Sequence, residues 1–369
     1  MMVNTPPVAT GQALKLLQAG WVAQRDHGFR ASWMLHGRPG IGKTEIVQKF
    51  ARDIGAKLYD LRLTTIEPQD LRGLPFFDLE AKRTVWFRPE DLPDDPDAPS
   101  VLFLDELTAA APHLQPTVYG LLQERRVGPH KLPDSCFLIA AGNMVEDGAI
   151  AYEMGTALSD RLIHLRLGAS ADDWLRNYAV PNALDPAVIA FIRTRPDCLD
   201  TIEDALRRGE MIACTPRSWA RVSELMRTIK DRSLRNTAIA GVLGENVAAE
   251  FRLIAEDIAA TVQLEALLDT KDRAALYPAS MHGMTALVYA LIARADADSL
   301  PLIIEIMAEL RGLGRLRGAP FDAMPLAELG THGFEVLIAK TLEHGWQETF
   351  LTSNAYAAYA RERDAAGLG

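Results

Sequence analysis

Cysteine is scarce in this sequence. The three present, Cys136, Cys198 and Cys214, lie far apart and form no Cys-x-x-Cys pair. Neither a disulfide framework nor a cysteine-based zinc site is expected. Long apolar runs are missing too: none approaches the roughly 20 residues that span a bilayer. Positive charge is in deficit, with a net charge of −10. A protein whose main task is gripping a phosphate backbone usually shows a basic face, so that task is disfavoured. The opening residues, MMVNTPPVATGQALKLL, have no basic stretch followed by an apolar core. Short-period repeats and low-complexity tracts are absent. These absences together read as a cytoplasmic chain.

What is present is a substantial globular protein. The chain has 369 residues, 48% of them hydrophobic, enough for two or three domains with cores of their own. Residues 11–25 read as a short amphipathic helix. SWMLHG, Ser32 to Gly37, is a short apolar run closed by glycine, as a buried parallel strand would be. Thr44 to Ile54 has helical spacing, with Ile46, Val47, Phe50 and Ile54 on one side. Further strands are expected at 56–63, 101–106, 136–143 and 161–167, with helices between most of them, notably around 112–125. Strands alternating with helices predict an open, mostly parallel sheet covered by helices. After about Gly168 the pattern becomes helical throughout. The expected division is an α/β nucleotide-binding core over 1–168, a helical lid over 169–268 and a helical extension over 269–369.

Two interruptions break the α/β pattern. Gly73 to Ser100 carries aromatic runs on either side of Glu80 to Arg83, which predicts a hairpin, followed by an acidic, proline-rich solvated loop. Arg125 to Ser135 predicts a second hairpin before the fourth strand. In the first, Phe76, Phe77, Lys82, Arg83, Trp86 and Phe87 admit two readings. They pack the insert onto the sheet, or they project and grip a partner.

The chemistry starts at GRPGIGKT, which fits G-x-x-x-x-G-K-[ST] in the strand-to-helix context that motif needs. Gly37, Arg38, Pro39, Gly40, Ile41, Gly42, Lys43 and Thr44 would cradle phosphates with backbone N–H groups at a helix N-terminus. Lys43 would bridge the β- and γ-phosphates, and Thr44 would offer its hydroxyl to Mg2+. VLFLDE ends in Asp105, a carboxylate placed for the same metal. Glu106, directly after it, can polarise water for attack on the γ-phosphate. A kinase excludes water, so this pair favours hydrolysis over transfer. AAGN ends the fourth strand in Asn143, at the carboxyl edge where ligands of such sheets sit. That Asn either orients the attacking water or merely forms a turn. Arg161 opens the fifth strand. Arg217 lies in the first turn of a helix, where a cation opposes the dipole and where an anion would explain it.

The ordered set GRPGIGKT, LFLDE, AAGN, SDR and TPR resembles the AAA+ ATPases. EPQDLRGLPFF and LLQERRVG make it similar, more narrowly, to their MoxR-type branch, over roughly 30–265. That resemblance implies ATP with Mg2+ and a ring of subunits, usually six, with nucleotide between neighbours. It implies a sensor role for Asn143 and a second sensor role for Arg217 on the lid. Arg161 becomes the finger that reaches the next subunit's site. Arg166 on the same strand competes for that role, and alternation would set the two on opposite faces. Arg125 and Arg126 are further basic candidates. The resemblance also implies chaperone-like work on a protein partner with a von Willebrand factor A domain. A nucleic-acid motor or loader is the alternative.

Overall fold

The computed structural model describes residues 3–147 and 155–365. Packing divides the chain into two compact units. One comprises residues 1–170, 200–211 and 215–217, the other 171–199, 212–214 and 218–369.

The first unit is built on a six-stranded parallel sheet. Its strands are β1 (Pro7–Val8), β2 (Ser32–His36), β3 (Lys57–Arg62), β6 (Ser100–Asp105), β9 (Cys136–Gly142) and β10 (Leu162–Leu167). Their order is β1-β10-β2-β9-β6-β3, and every neighbouring pair is parallel. The central strands are buried on both faces, which is why they read as unbroken apolar runs. Period-two alternation splits them between two cores. Val101, Phe103, Phe137 and Ile139 face a core with α1 (Thr10–His27) and α2 (Lys43–Asp53). Leu102, Leu104, Leu138 and Ala140 face another, with Val118 and Leu121 of the helix Gln115–Glu124. Phe137 lies at the centre of the first core, with ring centroids 5.0 Å from Phe50 and 6.1 Å from Trp33. Truncating it to alanine would cost about 3–5 kcal/mol. A Cβ at Gly20 would lie 2.4 Å from the Trp33 ring, so α1 reaches the sheet only because that residue is glycine.

Both expected hairpins exist. β4 (Pro75–Asp78) pairs antiparallel with β5 (Arg83–Trp86), and β7 (Arg126–Val127) with β8 (His130–Lys131). A short helix, Pro68–Arg72, precedes the first and is closed by a capping box between Glu67 and Asp70. Phe76, Phe77 and Phe87 are not packed onto the sheet: each is at least 59% exposed. Trp86 instead carries the Arg72 guanidinium 4.2 Å from its ring centroid.

The second unit is helical. Phe191, Trp219 and Phe251 form an aromatic triad with centroids 5.0–5.7 Å apart. The helix Met281–Arg294 is buried from Gly283 to Tyr289 and again at Leu291 and Ile292. Around it one continuous core joins helix Pro186–Thr194 to the helices Leu300–Glu309 and Leu326–His344. Among the described residues, no helix is long and apolar enough to cross a membrane.

Candidate nucleotide-binding site

Because all six strands run one way, their carboxyl ends share one edge, where α/β sheets bind ligands. His36 and Gly142 are paired there, and Gly37 N–H donates to the Gly142 carbonyl at 3.3 Å. The loop Gly37–Gly42 leaves β2 and enters α2 at Lys43. Gly40 (φ +78°) and Gly42 (φ +105°) take left-handed backbone that side chains disfavour. A Cβ at Gly40 would also lie 2.7 Å from Thr215 Oγ1.

Lys43 Nζ is folded back onto its own loop. It donates to the carbonyls of Gly37 (2.6 Å) and Arg38 (3.1 Å) and to Asn143 Oδ1 (2.8 Å). All three ammonium hydrogens are thus engaged. Burial, only partly countered by the charges of Asp105 and Asp147, pushes Lys43 down to about 8. An anion delivered to this ammonium would reverse that penalty. Thr44 Oγ1 donates to Asp105 Oδ2 at 3.3 Å. Burial and then the neighbouring Asp105 push Asp60 of β3 up, so negative charge is concentrated here. A hydroxyl and a carboxylate in hydrogen-bond contact, beside a phosphate loop, suit Mg2+, which keeps waters and takes phosphate oxygens as its other ligands. These residues fit that ion.

Glu106 is a non-glycine residue in left-handed backbone, φ +59°. That conformation is uncommon and gathers at functional sites. It turns the chain off β6 into the 3₁₀ turn Leu107–Ala109. The Glu106 carboxylate accepts from Thr64 Oγ1 and lies 3.8 Å from Arg62 Nε, beyond the end of β3. Its backbone N–H donates to Asp105 Oδ1 at 2.8 Å. Asn143 is tied down from the other side, its carbonyl accepting from Thr108 Oγ1 at 3.0 Å.

The structure therefore brings Lys43, Thr44, Asp105, Glu106 and Asn143 to one edge. Arg217 joins them. Its N–H donates to the Gly40 carbonyl at 3.2 Å, and its charge acts on Lys43. Arg161 does not join them. It lies one residue before β10, in a turn closed by its own N–H on the Leu158 carbonyl. Strand alternation therefore does not fix its face, contrary to the expectation that it begins the strand. Leu162 pairs with Ser32 and Arg166 with His36. Arg161 thus stands at the amino ends of the strands, six residues of rise or about 20 Å from Gly37, where its own loop begins. Arg166 is at the loop's level and half-buried. Arg125 donates to the carbonyls of Cys136 and Pro133, bracing the second hairpin.

Two sets of partners have no signal in the sequence. The Arg38 guanidinium points to Asp147 (3.4 Å), Asp200 (3.4 Å) and Glu203 (3.2 Å). It ties the loop to two other segments, and only its backbone faces the cradle. His36, buried at the end of β2, meets His164 of β10 at 2.7 Å. Burial, then the neighbouring His164 and Lys43, push His36 down to about 4. Each pair is joined across a hundred residues or more, which no local pattern can reveal.

Residues 32–164 match the family described as "ATPase family associated with various cellular activities (AAA)". Among curated proteins, the mouse ATPase family gene 2 protein homolog B is 35% identical over 102 residues, covering 28% of this chain. The bovine protein of that name is 34% identical over the same length. The chain spans 11% of the length of these relatives. Among solved structures, the RuvB Holliday junction branch migration motor of Thermotoga maritima shares 16% identity, over 90% of this chain and 86% of its own, with a TM-score of 0.35. A variant of that RuvB shares 15% over 90% and 89%, with a TM-score of 0.37. The parallel sheet and the loop after β2 agree with the family match, which covers residues 32–164.

Proposed function

We propose that this chain is a Mg2+-dependent ATP hydrolase of the MoxR-like type, working as a ring and remodelling a protein partner. One observation carries the hydrolytic part. Glu106 stands beside the Thr44–Asp105 pair, held off by Thr64 and Arg62. Released from Thr64, its carboxylate accepts the proton of a water that attacks the γ-phosphorus. The bond to the β-phosphate oxygen breaks, and ADP leaves with the electron pair. Thr44 and Asp105 would hold Mg2+, which when bound draws charge from the phosphate oxygens. Lys43 exchanges the Gly37 and Arg38 carbonyls for phosphate oxygens. Asn143, now against Lys43, would orient the water, and Arg217 would meet phosphate charge.

Arg161 cannot reach the loop of its own chain from the far end of the strands. Its proposed role is therefore in a neighbour's site, where such an arginine is worth about 10³–10⁵ in rate. That makes the ring, usually of six in the resembling family, a requirement of the chemistry. The exposed faces of Phe76, Phe77 and Leu79 favour an apolar protein segment as the thing gripped. A partner with a von Willebrand factor A domain follows from the resemblance of EPQDLRGLPFF and LLQERRVG. The test is what stimulates ATP turnover. Stimulation by a co-purifying protein and none by DNA is expected. Stimulation by single- or double-stranded DNA would overturn the protein-remodelling reading in favour of a nucleic-acid motor.

A further inference from the structure

His36 is the last residue of β2, immediately before the phosphate loop. His164 sits on β10, diagonal to it across the parallel pair. The two rings are nearly coplanar, at 20°, with centroids 5.0 Å apart. With Nε2 of His36 2.7 Å from Nδ1 of His164, they meet edge to edge through a hydrogen bond and do not stack by their faces. On its other side, His164 Nε2 lies 2.9 Å from the Ser159 carbonyl and 3.1 Å from Ser159 Oγ. A carbonyl only accepts, so His164 Nε2 carries its ring hydrogen, and His164 Nδ1 then accepts from the Nε2–H of His36.

This chain of bonds joins two places that matter. Ser159 ends the short helix Thr156–Ser159, and the turn that follows presents Arg161. Gly37, next to His36, has its carbonyl occupied by Lys43, a contact that phosphate must displace. An apolar pair would fill the same strand positions without placing the polar ring of His36 in a buried site.

We propose that His36 and His164 are positioning residues that tie the turn presenting Arg161 to the strand carrying the chain's own phosphate loop. What one subunit offers its neighbour is thereby keyed to the state of its own cradle. The inference rests on the reading of Arg161 as acting in a neighbouring site.

The test uses the polarity of mixed rings. Lys43→Ala subunits have no working cradle but keep Arg161; Arg161→Ala subunits have the reverse. Mixing the two restores turnover at interfaces where an intact cradle meets an intact arginine. If His164 positions Arg161, Lys43→Ala/His164→Leu subunits rescue Arg161→Ala subunits about tenfold less well, the effect of losing a buried hydrogen bond. Arg161→Ala/His164→Leu subunits, whose cradle is untouched, are still rescued by Lys43→Ala. His36→Leu placed beside Lys43→Ala reproduces the loss. His36→Gln, which keeps a donor near the position of Nε2, restores rescue. A merely structural defect would weaken both directions of mixing alike, and that outcome overturns the proposal. So does full rescue by Lys43→Ala/His164→Leu. Failure of the parent pair, Lys43→Ala with Arg161→Ala, in rings shown to be mixed would overturn the reading of Arg161 itself and the relay with it.

Discussion

Lys43→Met keeps the length of the side chain at the cradle and removes its charge. In the nucleotide-free protein that charge is a burden. Burial brings the ammonium from 10.5 down to about 8, a disfavour of about 3 kcal/mol for the charged form. The sign follows from proton counting. The folded chain releases this proton at a lower pH than the unfolded one. The penalty is therefore full below pH 8 and fades as pH rises toward 10.5. Against it stand the bonds to Gly37, Arg38 and Asn143, worth about 1 kcal/mol each. The two nearly cancel. At pH 7 the variant without nucleotide should unfold within about 1 kcal/mol of the parent, an unusually small change for a buried site. Nucleotide separates them. At a hundred times its Kd, Mg-ADP stabilises a competent cradle by about 2.7 kcal/mol, a rise of roughly 3–4 °C in Tm for a chain of 369 residues. Lys43→Met should show none of it. Thermal unfolding with and without Mg-ADP reads both quantities. A variant that loses several kcal/mol without nucleotide, yet still gains with it, would make Lys43 a structural residue and refute the reasoning.

Other outcomes follow from the same geometry. Arg161→Ala should bind nucleotide normally but turn it over at least about a hundredfold more slowly; unchanged turnover in the assembled ring would remove its role in trans. Phe76→Ser/Phe77→Ser should change stability by no more than about 0.5 kcal/mol, since both rings are exposed. It should spare basal turnover and abolish stimulation by a protein partner, and stimulation that persists would return the hairpin to a passive role. His36 is depressed from 6.5 to about 4, so the fold prefers it neutral. That contribution is complete above pH 6.5 and is lost as pH falls toward 4, by up to about 3 kcal/mol. Denaturant unfolding should be less pH-dependent over that interval in His36→Gln, and an identical slope in both proteins would contradict the assignment.

Much of the first unit was legible because its strands are buried on both faces. SWMLH, VLFLD and CFLIAAG are mostly apolar runs that end in, or are followed at once by, a glycine or a carboxylate, and their bounds fall within about one residue of expectation. Lys43, Thr44, Asp105 and Asn143 were legible because each directly follows such a run or opens the helix after it. The strand Pro7–Val8 was not: two residues carry no period, and it exists only through pairing with β10. The hold of Thr64 on Glu106, the carboxylates around Arg38 and the His36–His164 contact were equally hidden. They depend on which strands lie side by side, and local pattern does not contain sheet order. The aromatics of the first hairpin were ambiguous for a related reason. Phe76 and Phe77 are consecutive, so in a two-stranded ribbon one of them must leave any face that packs.

The measurement closest to the central claim is phosphate release by Glu106→Gln. This change keeps the shape and the contact distance to Thr64 but removes the base. The cradle of Lys43, Thr44 and Asp105 is untouched, so Mg-ATP should bind with its affinity intact. Turnover should fall by at least about a hundredfold, the usual worth of a positioned general base, and the variant should accumulate with ATP uncleaved. Turnover equal to the parent's, with ATP bound and cleaved as before, would mean that Glu106 does not activate water, and the hydrolytic reading of this site would fall.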